Sequence, residues 1–411
     1  MPPRGKHTYE KNNRGFALLV VILIIGVLAA MVGEFLFGVR LHAELLANHR
    51  NGMKCRYIGR SSVNTFMYLL KMDLVRSNSQ QNLLVLSSWV GYGGGLENVE
   101  GAEFAQEMLG FEKNPLDPDP NGPLRGQWSI PLPSEVFELD GKMYGKLINE
   151  RGKINLNSIV TVTQRRDRTE DVTNYKVYNR LFQLFQLLDI EEEESLTCID
   201  GIVDWIDGNL GTEPRGAEED YYRSLDNHPY YSRNDFLQSV DEIMLVRGCT
   251  PQITEKIREF VTVYPHKGNK ATAISFDSRI DAVTAPKVVL MAMFMAPSDE
   301  SGISAVDEEL AAQIAEEIYE KAIEKSGISV SVSEEGAYSV SAPSLLSAAE
   351  VKQVVANRLP EDSLDLYAYS PSEAQFYTVK GYGEVNGVMS GVEVVLRKIQ
   401  REVEILSWRE D

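Results

Sequence analysis

Arg14-Gly15-Phe16 opens the stretch that decides the fold, FALLVVILIIGVLAAMVGEFLFGV, from Phe16 to Val39. Glu34 is its only charged residue. With about 1.5 Å of helical rise per residue, the run is long enough to cross a hydrocarbon core of about 30 Å. The residues before it, MPPRGKHTYEKNNRG, hold Arg4, Lys6, Lys11 and Arg14 against Glu10 alone. Basic residues ahead of the span place that leader in the cytoplasm and the remainder outside. A secretory signal peptide would have a shorter apolar run and a small-x-small cleavage site. Here the run passes into Arg40-Leu41-His42-Ala43-Glu44-Leu45-Leu46 with no helix breaker. Leu41, Leu45, Ile58, Val63, Phe66, Met67, Leu70 and Leu74 continue at roughly helical spacing, weakened by Gly52 and Gly59, as far as Ser77-Asn78-Ser79. The pattern predicts one long helix, apolar first and amphipathic after. A plain anchor followed by a juxtamembrane helix would read the same way.

Composition narrows the function. The 411 residues carry 41 Lys and Arg against 60 Asp and Glu, a net charge of -19. Such a surface repels nucleic acid and anionic lipid and favours a divalent cation such as calcium. Cys55, Cys198 and Cys249 show no CxxC spacing, and the five histidines form no HExxH pattern, so neither a thiolate zinc site nor a zincin is expected. Cys198 and Cys249 both fall in a helical block, where a periplasmic fold would let them join. That bond would close a loop of about 50 residues, worth about 4 kcal/mol in the chain-entropy model. Two buried thiols are the alternative, and Cys55 would stay free.

Gly- and Pro-rich residues 87–146 read as loop. Gly91 to Gly95 is no phosphate loop, because no GKS/T follows. Lys142–Ile148 and Lys153–Leu156 read as strands. Tyr178–Leu188 reads as a helix, followed by LTCIDGIVDWID and the acidic loop GNLGTEPRGAEEDYY. Asp204, Asp207, Asn209, Glu213, Glu218 and Asp220 put many oxygen donors on one Gly-punctuated segment, as calcium requires. A solvated acidic loop is the plainer reading. In LVRGCTPQITEKI a Gly turn between two short helices resembles a helix–hairpin–helix. Its acidic surroundings favour packing over DNA, with Val240, Ile243, Leu245, Val246, Ile253 and Ile257 as a small core. Ala305–Lys325 is expected to be an exposed amphipathic helix and Leu345–Leu359 another. Phe376–Val385, Asn386-Gly387 and the alternating residues beyond predict a C-terminal antiparallel sheet. No paired-carboxylate cleft can be inferred, so no enzyme is expected.

The junction Arg14-Gly15-Phe16 resembles the class III signal of type IV pilins and pseudopilins. There a peptidase cuts after the Gly and methylates the new terminal Phe, which implies Gly15 and Phe16 for this chain. Pilins usually carry Glu five residues into the mature chain. Here Val20 stands there, so the subunit either breaks the family's rule or has no neighbour above it to pair with. GKINLN (152–157), DWIDGN (204–209), GAEEDYY (216–222) and SVDEIMLVRGCT (239–250) together resemble minor pseudopilin K of type II secretion systems. Ala273-Ile274-Ser275-Phe276 departs from the family's second INVNTA-like strand.

The resemblance implies an α+β pilin-like fold: a long N-terminal helix, its first part transmembrane, packed on an antiparallel sheet, with an inserted all-helical domain. The implied units are a cleaved leader (1–15), the spine helix in its membrane (16–39) and periplasmic (40–78) parts, and the first part of the sheet (79–160). The helical insert (161–265), a mixed connecting region (266–365) and the closing strands (366–411) complete the chain. It implies a non-enzymatic tip subunit that starts pseudopilus assembly, single-pass in the inner membrane with its C-terminal domain in the periplasm. Implied partners are minor pseudopilins I, J and H, the major pseudopilin, the prepilin peptidase, and an exported substrate or the secretin. The resemblance also implies calcium in the acidic loop. The alternatives are a minor pilin or adhesin of a type IV pilus, a DNA-uptake protein, and an anchored scaffold without a filament.

Overall fold

The computed structural model describes residues 14–71, 128–129, 142–165, 168–226, 228–265, 278–282, 284–297, 306–326, 329–332, 338–341, 346–356, 358–359, 366 and 373–410. The spine is one uninterrupted α-helix, α1 (Arg14–Lys71). Two short strands follow in the description, β1 (Trp128–Ser129) and β2 (Lys142–Asn149). Then come β3 (Ile154–Asn155), the hairpin β4 (Val160–Arg165) and β5 (Arg168–Thr173), and helices α2 (Tyr175–Leu187) and α3 (Glu192–Ile206). Helices α4 (Glu219–Arg223) and α5 (Pro251–Ile257) lead to β6 (Val261–Thr262). Helices α6 (Lys287–Met295) and α7 (Glu308–Ser326), the pair β7 (Ser329–Val332) and β8 (Tyr338–Ser341), and α8 (Ala348–Val355) come next. The chain closes on β9 (Gln375–Val385), β10 (Val388–Ile399) and β11 (Glu402–Glu410).

No proline interrupts α1, and its N-terminal half is long and apolar enough to cross a membrane. Its apolar window has no buried residue, so Leu41 and Leu45 belong to the exposed stretch, not to the packed row. The packed row begins at Asn51 and runs through Cys55, Ile58, Val63, Phe66 and Leu70. Leu74 and the leader lie outside the described residues.

This row lies on a five-stranded sheet of order β1-β2-β9-β10-β11. The pairs β1·β2, β2·β9, β9·β10 and β10·β11 are all antiparallel. Val63, Phe66 and Leu70 meet Leu147, Tyr377, Val379, Val392, Val394 and Leu396. Burying a side chain such as Phe66 is worth about 1.5–3 kcal/mol. Helix and sheet approach closely because glycine faces the helix: a Cβ on Gly383 would stand 2.2 Å from the Cys55 carbonyl oxygen. Asn386 and Gly387 turn the β9–β10 hairpin with φ of 51° and 78°, the left-handed pair of a type I′ turn. Leu406 is the extra residue of a bulge in the β10–β11 pairing, which shifts register between Val395 and Leu396.

Between β2 and β9 the chain builds a second unit. It is mainly helical but opens on the β4–β5 hairpin and the parallel pair β3–β6. The alternation Val160-Thr161-Val162-Thr163 carries that strand signal in the sequence. One apolar core runs from Ile154 to Val355, so α6, α7 and α8 share it with α2 and α3. The apolar face of α7 is covered: Ala311, Ile314, Ala315 and Ile318 are fully buried. A capping box of Ser347 with Glu350 starts α8. Residues Ala273 to Phe276 lie outside the described residues.

Candidate functional site

The acidic segment grows out of α3. Asp200 and Asp204 stand four residues apart, one helical turn, and both are buried. The loop that follows folds back onto them. The Glu213 amide donates to Asp204 Oδ1 at 3.0 Å, and the Arg215 amide to Asp200 Oδ2 at 3.1 Å. The Tyr178 hydroxyl donates to Asp200 Oδ1 at 2.6 Å. Gly216 permits the close approach, since a Cβ there would lie 1.9 Å from Asp204 Oδ2. Asp207 Oδ2 accepts from the Asn209 amide nitrogen at 2.6 Å, and Asn209 Oδ1 from the Gly211 amide at 2.6 Å. Hairpin β4–β5 supplies two more clasps: the Thr173 hydroxyl donates to Glu213 Oε1, and Asp171 Oδ2 accepts from the Gly208 amide.

Burial pushes the Asp204 carboxyl up to about 6, and the neighbouring charges of Glu213 and Asp200 add to it against the amide bonds from Glu213 and Ala217. The segment thus holds one buried carboxyl with the carboxylates of Glu213 and Asp200 beside it. The expected calcium donors nevertheless do not form one cage. Among the described residues, no three carboxylates, imidazoles or thiols stand close enough together to hold a metal ion. The physical reason is local: Asp204 is occupied by a backbone amide, Asn209 is turned into its own loop, and Asp220 is exposed on α4. Asp207 is buried and Glu218 half-buried. Asp200, Asp171, Thr173 and Tyr178 belong to this polar cluster but not to the expected set. Only Asp200 had a sequence signal, its one-turn spacing from Asp204.

Cys198 on α3 is bonded to Cys249, 51 residues on, in the turn before α5. Cys55 is free and buried on α1. The turn at Gly248, with φ of 82°, packs onto α3: a Cβ there would lie 2.9 Å from the Cys198 amide nitrogen. The segment before it is a 3-10 helix, Val240–Leu245. Ile243, Val246, Ile253 and Ile257 are buried as the spacing predicts. Leu245 is not: it is 48% exposed, because the tight 3-10 turn points it away from α3, and Val240 is half-buried. On α1, Gly15 and Phe16 lie in the first turns, and Val20 is exposed.

Residues 152–266 match the model of a family described as type II secretion system protein K. The type II secretion system protein K of Aeromonas hydrophila is 29% identical over 151 residues, 36% of this chain and 45% of that protein. The match thus spans less than half the length of that relative. A solved structure, the GspK-GspI-GspJ complex of the enterotoxigenic Escherichia coli type 2 secretion system, aligns with a TM-score of 0.44 and 15% identity. The alignment covers 75% of this chain and 90% of that one.

Proposed function

We propose that this chain, whose residues 152–266 are of the type II secretion protein K family, is a non-enzymatic minor pseudopilin at the tip of a pseudopilus. The observation that carries the reading is the division of α1. Its first half offers a bare apolar surface to a membrane, and its second half is seated in an antiparallel sheet. An unpaired carboxylate is costly in hydrocarbon, so Val20 suits a subunit with no terminal amine above it to pair with. The bulky unit between β2 and β9 suits the same end, where no further subunit has to stack. In this reading the inner membrane holds α1 in a single pass, with the C-terminal domain in the periplasm. The partners are minor pseudopilins I, J and H, the major pseudopilin, and an exported substrate or the secretin. The prepilin peptidase cuts between Gly15 and Phe16 and methylates Phe16. Intact mass of the chain from membranes with and without an active prepilin peptidase tests the first step. A methylated product starting at Phe16, made only with the peptidase, is expected. A chain that keeps its leader in both strains overturns the filament reading.

Calcium binding by the segment 204–220 is a second part of the proposal. Its support is the excess of carboxylates around Asp204, whose repulsion a divalent cation would relieve. The donors would have to re-form as a shell, with Glu213 and Glu218 turning toward Asp204 and Asp207. Melting of the purified chain in millimolar calcium against EGTA tests it. A stabilisation of several degrees, lost in an Asp207→Ala variant, is expected. Identical melting in both buffers rejects it.

A further inference from the structure

We propose that the exposed patch formed by Tyr221, Tyr231, Met244 and Leu245, with Arg247 at its edge, is a docking surface for a protein partner that presents a carboxylate within an apolar surface. Tyr231 is 68% exposed, Leu245 48%, Met244 46% and Tyr221 39%. Tyr221 and the backbone of Leu245 are joined from beneath, and Tyr231 and Met244 are chain neighbours of Tyr230 and Leu245. The ring of buried Tyr222 lies 5.3 Å from Tyr221, 5.3 Å from Tyr230 and 5.1 Å from Trp205. The Tyr230 hydroxyl donates to the Leu245 carbonyl at 2.7 Å, and the Arg247 amide donates to the Tyr222 hydroxyl. Tyr221 and the Leu245 backbone are therefore held by a fixed aromatic cluster, which lowers the ordering cost of docking.

Arg247 selects the partner's chemistry. Its guanidinium lies 4.9 Å over the Tyr221 ring, and Nη1 donates to the Gly216 carbonyl at 2.7 Å. Among the described residues it has no carboxylate partner, in a chain of net charge -19. Arg223, 5.5 Å over Tyr231, already shares Glu219 at 3.4 Å. Exposed Tyr, Met and Arg around a packed centre are the residue types that dominate protein interfaces. A carboxylate buried against Arg247 would make a charge-assisted bond. A single carboxylate satisfies Arg247, whereas a polyanion would also meet the net charge of -19 on the rest of the chain.

This inference does not depend on where the chain sits in a filament. It is tested with the full chain in its native host, carrying the photo-crosslinker p-benzoylphenylalanine at position 231 or 244, and at Met389 as a distant control. Protein adducts from 231 and 244 but not 389 are expected, with the cross-linked peptide apolar and carrying an Asp or Glu. Arg247→Glu should cut their yield at least five-fold. Leu245→Ser, whose side chain is exposed, should cut it as well and stands in if Arg247→Glu does not fold. No adduct, a lipid adduct, a peptide lacking Asp and Glu, or a yield that neither substitution moves would overturn the proposal.

Discussion

In the proposed tip role, a single position near the start of α1 would separate this chain from an ordinary filament subunit. Val20 is exposed on the helix, where a pilin subunit would carry Glu. A carboxylate at that depth, with no amine above it, costs about 2.5–3.5 kcal/mol on insertion scales. In a tip subunit Val20→Glu gains no partner and carries the whole cost. We expect it to lower membrane insertion and the number of pseudopili initiated, counted by immunoblot of the membrane fraction and by microscopy. Wild-type counts would mean that a neighbour receives the charge, and that the chain is not at the tip. The expectation for Gly15, Phe16 and Val20 rests on sequence alone, because a leader signal is linear and the fold adds nothing to it. The acidic donors were legible only as residue types. Which of them face inward depends on how the loop folds back on α3, and no spacing along the chain encodes that. Asp204 and Asp207 turn in, Asp220 turns out, and the clasping Thr173 and Tyr178 come from elements 31 and 26 residues before Asp204.

At the scale of elements, the meeting of α1 with β9 depends on what is missing from the strand. Gly381 and Gly383 alternate with Tyr382, and both glycines face α1. Gly383→Val would drive its Cβ into the Cys55 carbonyl, and backbone cannot yield as a side-chain tip can. Overpacking of this kind costs about 1–3 kcal/mol. The full chain should melt several degrees lower by circular dichroism. Val at Gly387, where no atom lies within 4 Å, would report backbone strain alone and so provides the comparison. An unchanged melting curve for Gly383→Val would mean that α1 is not seated so closely. The C-terminal hairpin was legible because Asn-Gly fixes its turn and Val392, Val394 and Leu396 alternate. The first strand of the β4–β5 hairpin has its alternation in Val160 to Thr163, but Arg165-Arg166-Asp167-Arg168 offers no Asn-Gly or Asp-Gly pair to mark the reversal. The core shared by α6, α7 and α8 was hidden, since contacts across more than 100 residues leave no local periodicity.

Across the whole molecule, ion pairs help join the helical unit to the sheet. Lys380 on β9 meets Glu259 at 3.0 Å and Glu393 at 3.5 Å, while Arg409 on β11 meets Asp241 at 3.5 Å. Asp241 also pairs with Arg258. Burial alone would push the Glu259 carboxyl up, but the ammonium charges of Lys380, Lys153 and Lys146 outweigh it and hold it below the usual carboxylate range. Burial would likewise lower Lys380, and the charges of Glu259 and Glu393 reverse that. A carboxyl held low in the folded state adds stability above its unfolded value of about 4.3, and loses it as pH falls through the folded value. An ammonium held high adds stability below about 10.4 and loses it as pH rises through its folded value. The pair is thus fully effective across the neutral range and fails first on the acid side at Glu259. Lys380→Met should therefore cost the full chain about 1–2 kcal/mol at pH 7, a discounted figure for a partly exposed pair. The difference from wild type should shrink as pH falls below the unfolded carboxylate value of about 4.3 and on through the lower folded value of Glu259. Paired thermal melts from pH 7 to pH 3 isolate what Lys380 contributes through its two carboxylates, Glu259 and Glu393, because the carboxylates it does not touch titrate alike in the two chains. A gap that stays constant with pH would show that Lys380 acts by packing its stem, and that the two units are held by apolar contacts such as Tyr264 on Phe376.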